Sequence, residues 1–368
     1  MKLYPNLVLD ALRNVRYPGN GKDIVEAGMV EDDIRIDGNH LSFSLIFDRP
    51  TDPFIKSIVK AAESAIHHYI SPEVDIKGNI AVKTRQVAPQ PAVKPLAEVN
   101  NIIGVSSGKG GVGKSTVAAN LAVALAREGY KVGLLDADIF GPSIPKMFGV
   151  EDEQLYMHNV DGRDLIIPLE KYGVKLLSIG FLVDKQAPVL WRGSMASNAL
   201  KQLITDADWG QLDYFLIDMP PGTSDIHLTL VQTLAMTGVV VVSTPQQVAL
   251  ADARKGIAMF AKPEINVPIL GLIENMAWFT PERHPDERYY IFGREGGVEL
   301  AKELGVKLLA QIPVVGTICE RGDEGDPIAT GDSLAAQSFL HAAREVIEAV
   351  DLRNATLPAT VKVDVKHK

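Results

Sequence analysis

A short glycine-rich stretch with two lysines is the part of the sequence that most clearly could do chemistry. Residues 106 to 116 read SSGKGGVGKST. Within this stretch, Gly108, Gly113, Lys114 and Ser115 match the Walker A spacing G-x-x-x-x-G-K-S. A loop of this kind, placed between an apolar strand and a helix, points backbone N–H groups at phosphate oxygens. The pattern therefore predicts a phosphate-binding loop in which Lys114 reaches the β and γ phosphates and the Ser115 hydroxyl binds Mg²⁺.

Three aspartates stand where predicted apolar strands end. The segment GLLDAD places Asp136 and Asp138 after one strand, and YFLIDM places Asp218 at the end of another. The carboxyl ends of parallel strands face the ligand crevice of an α/β sheet. Carboxylates at that edge can hold Mg²⁺ through water and can orient a water molecule for attack on a phosphate. We therefore expect these aspartates beside the phosphate-binding loop, with simple solvation of a strand end as the alternative for any one of them.

The composition limits which classes of function are open to the chain. Its 368 residues carry a formal net charge of −9, and 46% of them are hydrophobic and 23% charged. An acidic chain of ordinary globular composition is a poor match for nucleic-acid binding, so we expect no nucleic-acid partner. The one cysteine, Cys319, permits no intrachain disulfide, and the most apolar run, residues 238–242, is too short to span a bilayer. Because the first residues also lack the apolar core of a signal peptide, we expect a cytoplasmic protein with no membrane association.

The hydrophobic pattern divides the chain into four parts. Residues 1–83 combine helical spacing with the alternating segment HLSFSLIF, which predicts a small α+β domain. Residues 84–100 are rich in proline and are expected to form a semi-rigid linker. Residues 101–350 alternate short apolar runs with helical stretches, which predicts an α/β domain with a mainly parallel sheet and helices on both faces. The last helix is expected at 333–350, and residues 351–368 form a polar C-terminal tail.

The second lysine of the loop, Lys109, belongs to a wider resemblance. The segment GKGGVGKST, with a lysine directly after the first glycine, resembles the deviant Walker A of the SIMIBI class of ATPases, which includes the MinD and ParA groups. The segments DADIFGPSIPKMFG, DYFLIDMPPGTSDIHLTL and GLIENMAWF follow in order and are similar to the Mrp/ApbC/Nbp P-loop ATPases, an iron–sulfur cluster carrier family. Residues 7–83 are similar to the MIP18-like iron–sulfur assembly domain that often precedes these ATPases.

The resemblance implies a homodimer that hydrolyses ATP slowly, in the manner of a switch. In such a dimer Lys109 reaches across the two-fold axis to the partner's phosphates, and Asp138 orients the attacking water. Lys109, Lys114 and Asp138 would then be the catalytic residues, while Asp136 and Asp218 would act on Mg²⁺ through water. The nucleotide would be bound by residues of the loop and of two later segments, namely Gly108, Lys109, Gly110, Gly111, Val112, Gly113, Lys114, Ser115, Thr116, Gly222 and Asn275.

Three of these contacts come from the resemblance alone. Thr116 corresponds to the residue that touches the α-phosphate. Gly222, together with Asp218, corresponds to the switch II pair whose glycine N–H senses the γ-phosphate. Asn275, in the segment IENM, corresponds to the asparagine that reads adenine, since a side-chain amide can pair with a purine edge. A turn asparagine is the alternative for Asn275.

The resemblance fails where an iron–sulfur cluster would be bound. Family members carry a C-x-x-C after the ENM strand, but residues 281–284 of this chain read PERH. The N-terminal domain likewise has Asp52-Pro53 in place of Cys-Pro. Clusters are held chiefly by thiolates, usually four, whereas a homodimer of this chain offers only two copies of Cys319. Cys319 therefore stays a candidate cluster ligand or a small packing residue, and His284 stays a further candidate ligand or part of a solvated loop.

These observations lead to one function and one alternative. The function is an ATP-binding and ATP-hydrolysing homodimer that uses Mg²⁺ and acts in iron–sulfur cluster assembly, as a cluster carrier or loading factor for apo-proteins or assembly factors. The alternative is a MinD- or ParA-like ATPase that switches protein interactions and holds no cluster. An electron donor like the nitrogenase iron protein is disfavoured, because it needs cysteines that this sequence lacks.

Overall fold

A computed structural model gives the fold of the chain. It describes residues 3–18, 22–47, 52, 54–84, 96–139, 141–160, 162–182, 193–281, 283–284 and 286–362. Two compact units separate along the chain, Met1–Ala92 and Val93–Lys368. Glu282, one of the residues at the place of the C-x-x-C, lies outside the described residues, as does most of the expected linker.

The N-terminal unit has two helices and a three-stranded sheet. Its elements are α1 (Pro5–Leu12), β1 (Arg35–Asp37), β2 (His40–Phe47), α2 (Ile55–Tyr69) and β3 (Ile80–Thr84). Strand β2 lies in the middle, antiparallel to β1 and parallel to β3. The alternating large residues of β2 are buried in the core of this unit, as are Val8 of α1 and Ile66 of α2. The predicted α+β organisation of this region is confirmed.

The second unit is built on an eight-stranded sheet. Its strands, with a separate β6–β7 hairpin, are β4 (Val99–Ser107), β5 (Val132–Asp136), β6 (Tyr156–Val160), β7 (Arg163–Ile167), β8 (Leu169–Lys171), β9 (Val174–Ser178), β10 (Leu212–Asp218), β11 (Gly238–Ser243), β12 (Ile269–Phe279) and β13 (Leu308–Val314). Its helices are α3 (Lys114–Arg127), α4 (Ile144–Met147), α5 (Gly193–Thr205), α6 (Asp225–Thr233), α7 (Gln247–Phe260), α8 (Gly296–Leu304), α9 (Gly316–Asp323) and α10 (Leu334–Thr356).

The strand order of this sheet is β13-β12-β11-β4-β10-β5-β9-β8. Every neighbouring pair is parallel except β8 and β9. The strand that leads into the phosphate-binding loop, β4, therefore lies inside the sheet between β10 and β11. The carboxyl ends of parallel strands lie on the same side of the sheet. The loop and the aspartates at the ends of β5 and β10 therefore come together there.

Helices cover both faces of the sheet, which explains why its strands read as nearly continuous apolar runs. Ile103 of β4 and Leu134 of β5 face a core that they share with α3 and α10. Ile102 and Leu135, one position away on the same strands, face the opposite core with α5, α6, α7 and α8. The predicted doubly covered parallel sheet is confirmed. None of the helices in the described ranges combines the length and the hydropathy that a membrane span requires.

Helix α10 is longer than the pattern predicts. It begins after Ser333, whose hydroxyl accepts the N–H of Ala336, and continues six residues past Val350 to Thr356. The extra turns are held by polar contacts: Asn354 Nδ2 donates to Asn101 Oδ1 at 2.9 Å, and a guanidinium nitrogen of the preceding arginine donates to the Pro358 carbonyl. Because these turns bury no apolar face, hydrophobic spacing carries no signal for them.

Helix α10 offers a matched test of the core. Leu340 is 6% exposed and lies in the core shared with α3, whereas Leu352 on the same helix is 65% exposed. We expect Leu340→Ala to lower the free energy of unfolding by about 2–5 kcal/mol, because it leaves a cavity. Leu352→Ala should change it by less than about 0.5 kcal/mol. Urea unfolding followed by circular dichroism measures both, and equal effects would contradict the assigned packing.

Candidate nucleotide site

The loop between β4 and α3 depends on two glycines, one because of its packing and the other because of its backbone conformation. A Cβ on Gly108 would lie 2.1 Å from the carbonyl carbon of Asp252, because the loop packs directly on the backbone of α7. A Cβ on Gly113 would lie 2.3 Å from Asn275 Nδ2, and Gly113 also has a positive φ of 78°. The Cβ of a residue at Gly110, by contrast, would meet no atom closer than 4.0 Å. Packing against backbone thus favours glycine at position 108 and the left-handed backbone favours it at position 113, in both cases independently of any ligand.

Lys114 begins α3 and is held by carboxylates inside the protein. Its side chain is 6% exposed, and its Nζ lies 2.5 Å from Asp218 Oδ1. The same ammonium lies 3.4 Å from Asp138 Oδ2 and 3.2 Å from Ser115 Oγ. The structure therefore brings together four residues that the sequence placed in one site.

Strand register explains how side chains from distant parts of the sequence reach this ammonium. Asp218 of β10 is aligned with Asp136 of β5 on one side and with Val105 of β4 on the other. Asp136 is in turn aligned with Ser178, the last residue of β9. The four positions form one row across four neighbouring strands, at the edge from which the loop leaves.

Asp136 is fully buried in this row and accepts three hydrogen bonds. Its Oδ2 accepts from the Ser178 hydroxyl at 2.9 Å and from the Ile144 N–H at 3.2 Å, and its Oδ1 accepts from the Asp138 N–H at 3.1 Å. Burial and the nearby negative charge of Asp218 nevertheless raise the pKa of Asp136 to about 8. Burial also raises the pKa of Asp218, although the Lys114 ammonium opposes that shift.

Two buried carboxylate oxygens of this site have no hydrogen-bond partner among the described residues. They are Oδ1 of Asp138 and Oδ2 of Asp218. Together with the Ser115 hydroxyl they supply the hard oxygen donors that Mg²⁺ prefers, and Mg²⁺ keeps several of its waters in such sites. The donor set therefore fits Mg²⁺ held by Ser115 directly and by carboxylates through water.

Gly222 lies next to the phosphate-binding loop. Its N–H donates to the Ser107 carbonyl at 2.9 Å, and its φ is 76°. The N–H predicted to sense a γ-phosphate is therefore occupied by the strand that leads into the loop, and it must leave this acceptor before it can bind another.

A cavity of about 380 Å³ opens beside the end of the loop. Gly113, Thr116 and Asn275 line it, and all three are among the residues that the sequence predicts to bind the nucleotide. The Asn275 side chain also donates from Nδ2 to the Val112 carbonyl at 2.9 Å, which leaves its Oδ1 free of any hydrogen bond to a described residue. Asn275 therefore supports the loop at the same time as it faces the cavity.

The neighbouring residue, Glu274, holds a different part of the structure. It is fully buried; one of its carboxylate oxygens accepts the N–H of Gly297 at the start of α8, and the other accepts from Gln311 Nε2 at 2.8 Å. A Cβ on Gly297 would lie 2.6 Å from the Glu274 carboxylate. Two consecutive residues of strand β12 thus support different elements: Glu274 supports α8, and Asn275 supports the phosphate-binding loop.

Lys109 differs from Lys114 in having no charged partner in the part of the chain that the structure describes. None of the ion pairs among the described residues includes its ammonium, and the side chain is partly exposed. Its backbone carbonyl accepts the Ser107 hydroxyl at 2.9 Å, which fixes the chain at this point while the side chain remains available.

Cys319 does not lie among other potential cluster ligands. It is exposed on α9 and lines the same cavity as Asn275, and its nearest polar partner is Asp323 Oδ2 at 3.8 Å. At the place of the C-x-x-C, His284 Nδ1 lies 3.6 Å from Glu287 Oε1. In the part of the chain that the structure describes, no three His, Cys, Asp or Glu side chains are grouped to hold a metal ion.

In the N-terminal unit, Asp52 has a structural role at the place of the missing cysteine. Its Oδ1 accepts the Phe54 N–H at 2.8 Å, just before α2, and its Oδ2 accepts the Tyr17 hydroxyl. Both carboxylate oxygens are therefore used to fix the start of α2.

Sequence reasoning missed some residues of the site. Ser178 is fully buried and donates to Asp136, and Lys146 and Asp323 line the cavity. Ser178 could have been found, because it is a polar residue at the end of an apolar run in the segment VKLLSIG. Lys146 and Asp323 lie on short helices, α4 and α9, whose spacing gives no such signal.

The close packing of Gly108 on α7 leads to a test. We expect Gly108→Ala to destabilise the protein by about 1–3 kcal/mol, because overpacking against backbone forces the loop or helix to move. Gly110→Ala is the control, since the added methyl group meets open space. Thermal unfolding compares the two variants, and a similar loss in both would show that the Gly108 contact is unimportant.

Comparisons with known proteins agree with this architecture. A family model described as the NUBPL iron-transfer P-loop NTPase matches residues 98–347, and one described as an iron–sulfur cluster assembly protein matches residues 6–76. An iron–sulfur cluster carrier protein of Synechocystis is 41% identical over 353 residues, which cover 95% of this chain and 99% of that protein. The iron–sulfur cluster transfer protein NUBPL of Dictyostelium discoideum is 45% identical over 269 residues, 72% of this chain and 82% of that protein.

A solved structure is similar as well. The nucleotide-binding protein of Archaeoglobus fulgidus in complex with ADP is 38% identical, with a TM-score of 0.55, and the match covers 63% of this chain and 88% of that chain. The resemblance predicted from the motifs is confirmed by these matches. The chain belongs to the NUBPL iron-transfer P-loop NTPase family, and a domain of the iron–sulfur cluster assembly type precedes its NTPase domain.

Proposed function

We propose that this chain is a homodimeric ATPase that hydrolyses ATP slowly and serves iron–sulfur cluster assembly as a cluster carrier or loading factor. The observation that carries the proposal is the buried Lys114 ammonium, which lies at the start of α3 between Asp138 and Asp218. The names of the relatives, a cluster carrier and a cluster transfer protein, supply the cargo. The single cysteine supports the further proposal of a cytoplasmic protein.

In the proposed reaction, the phosphates of ATP replace Asp218 as the partner of Lys114. The backbone N–H groups of the loop and the N-terminus of α3 bind the phosphate oxygens. A water molecule oriented by Asp138 attacks the γ-phosphorus, while the bond from that phosphorus to the β–γ bridging oxygen breaks. The products are ADP and inorganic phosphate, and the proton released from the water passes to solvent.

Mg²⁺ would be held by the Ser115 hydroxyl and, through water, by Asp136 and Asp218. It would supply neutralisation of negative charge on the phosphates when bound. The unpaired Oδ2 of Asp218 supports its part in this assignment. Asn275 and Thr116 would contact the nucleoside and the α-phosphate from the wall of the cavity.

Lys109 would act in the partner's site. A lysine that has no ion pair with any described residue can extend across a two-fold axis and stabilise charge that develops on the transferred phosphoryl group. Hydrolysis would then depend on dimer geometry, so ATP could set when a cluster or a partner protein is released.

A second candidate function follows from the missing ligands. The described residues contain no group of three metal-ligating side chains, and Cys319 is distant in sequence from the PERH segment. In this candidate function, the chain is a MinD- or ParA-like ATPase that switches protein interactions and holds no cluster.

The role of Lys114 can be tested by substitution. We expect Lys114→Ala to raise the Kd for ATP by about 100-fold, because two charge-assisted contacts to phosphate are lost. Isothermal titration with an ATP analogue measures the loss, and Lys302→Ala, at an exposed position on α8, is the control. Because the substitution also leaves Asp218 without its ion pair, circular dichroism must show that the variant is folded. Normal affinity and turnover in folded Lys114→Ala would refute the site.

Substitution of Lys109 should reduce ATP hydrolysis while it leaves nucleotide binding nearly unchanged. We expect Lys109→Ala to bind nucleotide within about threefold of wild type and to lose turnover by at least about 100-fold, as when a cation supplied in trans is removed. Turnover measured against protein concentration, with Lys302→Ala as control, tests both the effect and the dimer. Unchanged hydrolysis would remove the trans-acting lysine from the mechanism.

Anaerobic reconstitution with iron and sulfide tests whether the chain itself holds a cluster. If the chain carries its own cluster on Cys319, wild type should bind iron and acid-labile sulfide in stoichiometric amounts, and Cys319→Ala should bind neither. If it acts without holding the cluster, both proteins should lack iron while ATP hydrolysis is intact. A cluster retained in Cys319→Ala would contradict both forms, because it requires ligands other than the thiol.

A further inference from the structure

A buried histidine lies at the end of the loop that carries Gly222. His227 is in the first turn of α6, directly after residues 219–224, and is fully buried. Its Nδ1 accepts the backbone N–H of Ser224 at 3.1 Å, in the reciprocal arrangement of a capping box. His227 therefore fixes the point at which the loop becomes helix.

The ring of His227 is neutral, and only one of its two nitrogens has a hydrogen-bond partner among the described residues. Because Nδ1 accepts an N–H, the ring proton is on Nε2, and this nitrogen is buried with no hydrogen-bond partner among the described residues. Burial lowers the pKa of His227 to about 4, and the positive charge of Lys114 contributes to the shift. The contact with Ser224 is thus made by a neutral acceptor throughout the physiological pH range.

The loop before His227 is short and is anchored at both ends. At its start the Met219 N–H donates to the Val105 carbonyl of β4 at 3.0 Å, and at its end the Ser224 N–H donates to His227. Only four residues, including Gly222, lie between these anchors. The Gly222 N–H, bound to the Ser107 carbonyl, can therefore reach a new acceptor only through a small movement whose direction the two anchors set.

We propose that His227 is a positioning residue, which holds the end of this loop so that the Gly222 N–H meets the γ-phosphate of bound ATP. The inference rests on the proposed function, because it concerns the same nucleotide site. Gly222 would contact only the γ-phosphate, so the anchor should matter for ATP and for its hydrolysis but not for ADP. Without the anchor, the glycine N–H would sample several positions and bind the γ-phosphate less well.

This role differs from simple packing of the ring. The ring centroid of His227 lies 6.1 Å from that of Phe260 at the end of α7, so the side chain also fills space in the core. A packing role would be preserved by leucine, which has a similar volume and no polar atoms. An anchoring role would be preserved by glutamine, which is a usual partner of serine in a capping box and can accept the same N–H.

The test compares His227→Gln and His227→Leu with wild type in the full-length protein. The Kd for ADP and for the non-hydrolysable analogue AMPPNP is measured by titration, and kcat and KM are measured for ATP. We expect His227→Leu to lose about tenfold in the preference for AMPPNP over ADP and about tenfold in kcat, with the Kd for ADP within about threefold of wild type. His227→Gln should stay within about threefold of wild type in all of these values.

A second variant reaches the same bond from its other side. Ser224→Pro removes the donated N–H and leaves His227 in place; because it also removes the Ser224 hydroxyl of the capping box, Ser224→Ala, which keeps the N–H, is its control. Ser224→Pro should reproduce the selective loss of AMPPNP binding even if His227→Leu does not fold. The inference is overturned if His227→Leu or Ser224→Pro keeps the wild-type preference and kcat, if both nucleotides weaken equally, or if glutamine is as damaging as leucine. Failure of wild type itself to bind or hydrolyse ATP would instead overturn the proposed function.

Discussion

The buried ion pair between Lys114 and Asp218 is the interaction on which the rest of the site depends. Neither side chain has enough access to water to be solvated there, and an isolated buried charge costs several kcal/mol. The two groups must therefore stay together until another charged partner arrives. The strand register aligns Asp218 with Val105, and the loop ends at Gly113. Together they bring Lys114, the first residue of α3, to the Asp218 carboxylate. Under the proposed function, an arriving phosphate would have to compete with that carboxylate for the Lys114 ammonium.

The sequence predicts the local parts of this arrangement well. The Walker spacing places Lys114 at the start of a helix, and apolar runs that end in Asp136 and Asp218 place both residues at one edge of the sheet. These predictions succeed because strand and helix periodicity, together with the rule that parallel strands share a carboxyl edge, act over short stretches. The N-terminal α+β unit follows from the same reasoning, since the alternation in β2 is the direct result of one buried face.

The contacts that the sequence could not predict join elements far apart in the chain. Gly108 needs to be glycine because α7 packs on it, and nothing in the loop itself reveals that helix as a neighbour. Ser178 reaches Asp136 through a register between β5 and β9. His227 belongs to the segment DYFLIDMPPGTSDIHLTL, but its burial and its bond to Ser224 arise only when α6 is packed. In each case tertiary packing, not local propensity, decides the role of the residue.

The hydrogen bond from Asn275 to the Val112 carbonyl links the wall of the cavity to the phosphate-binding loop. A ligand that draws the Asn275 amide towards the cavity changes the stability of the phosphate loop, and by thermodynamic reciprocity a loop ordered by phosphate changes the affinity of the cavity. Glu274, the preceding residue on the same strand, secures the first turn of α8, so that β12 supports both the phosphate loop and this helix. Strand β12 is therefore a common support of two elements, and a substitution that displaces it disturbs the phosphate loop and α8 together.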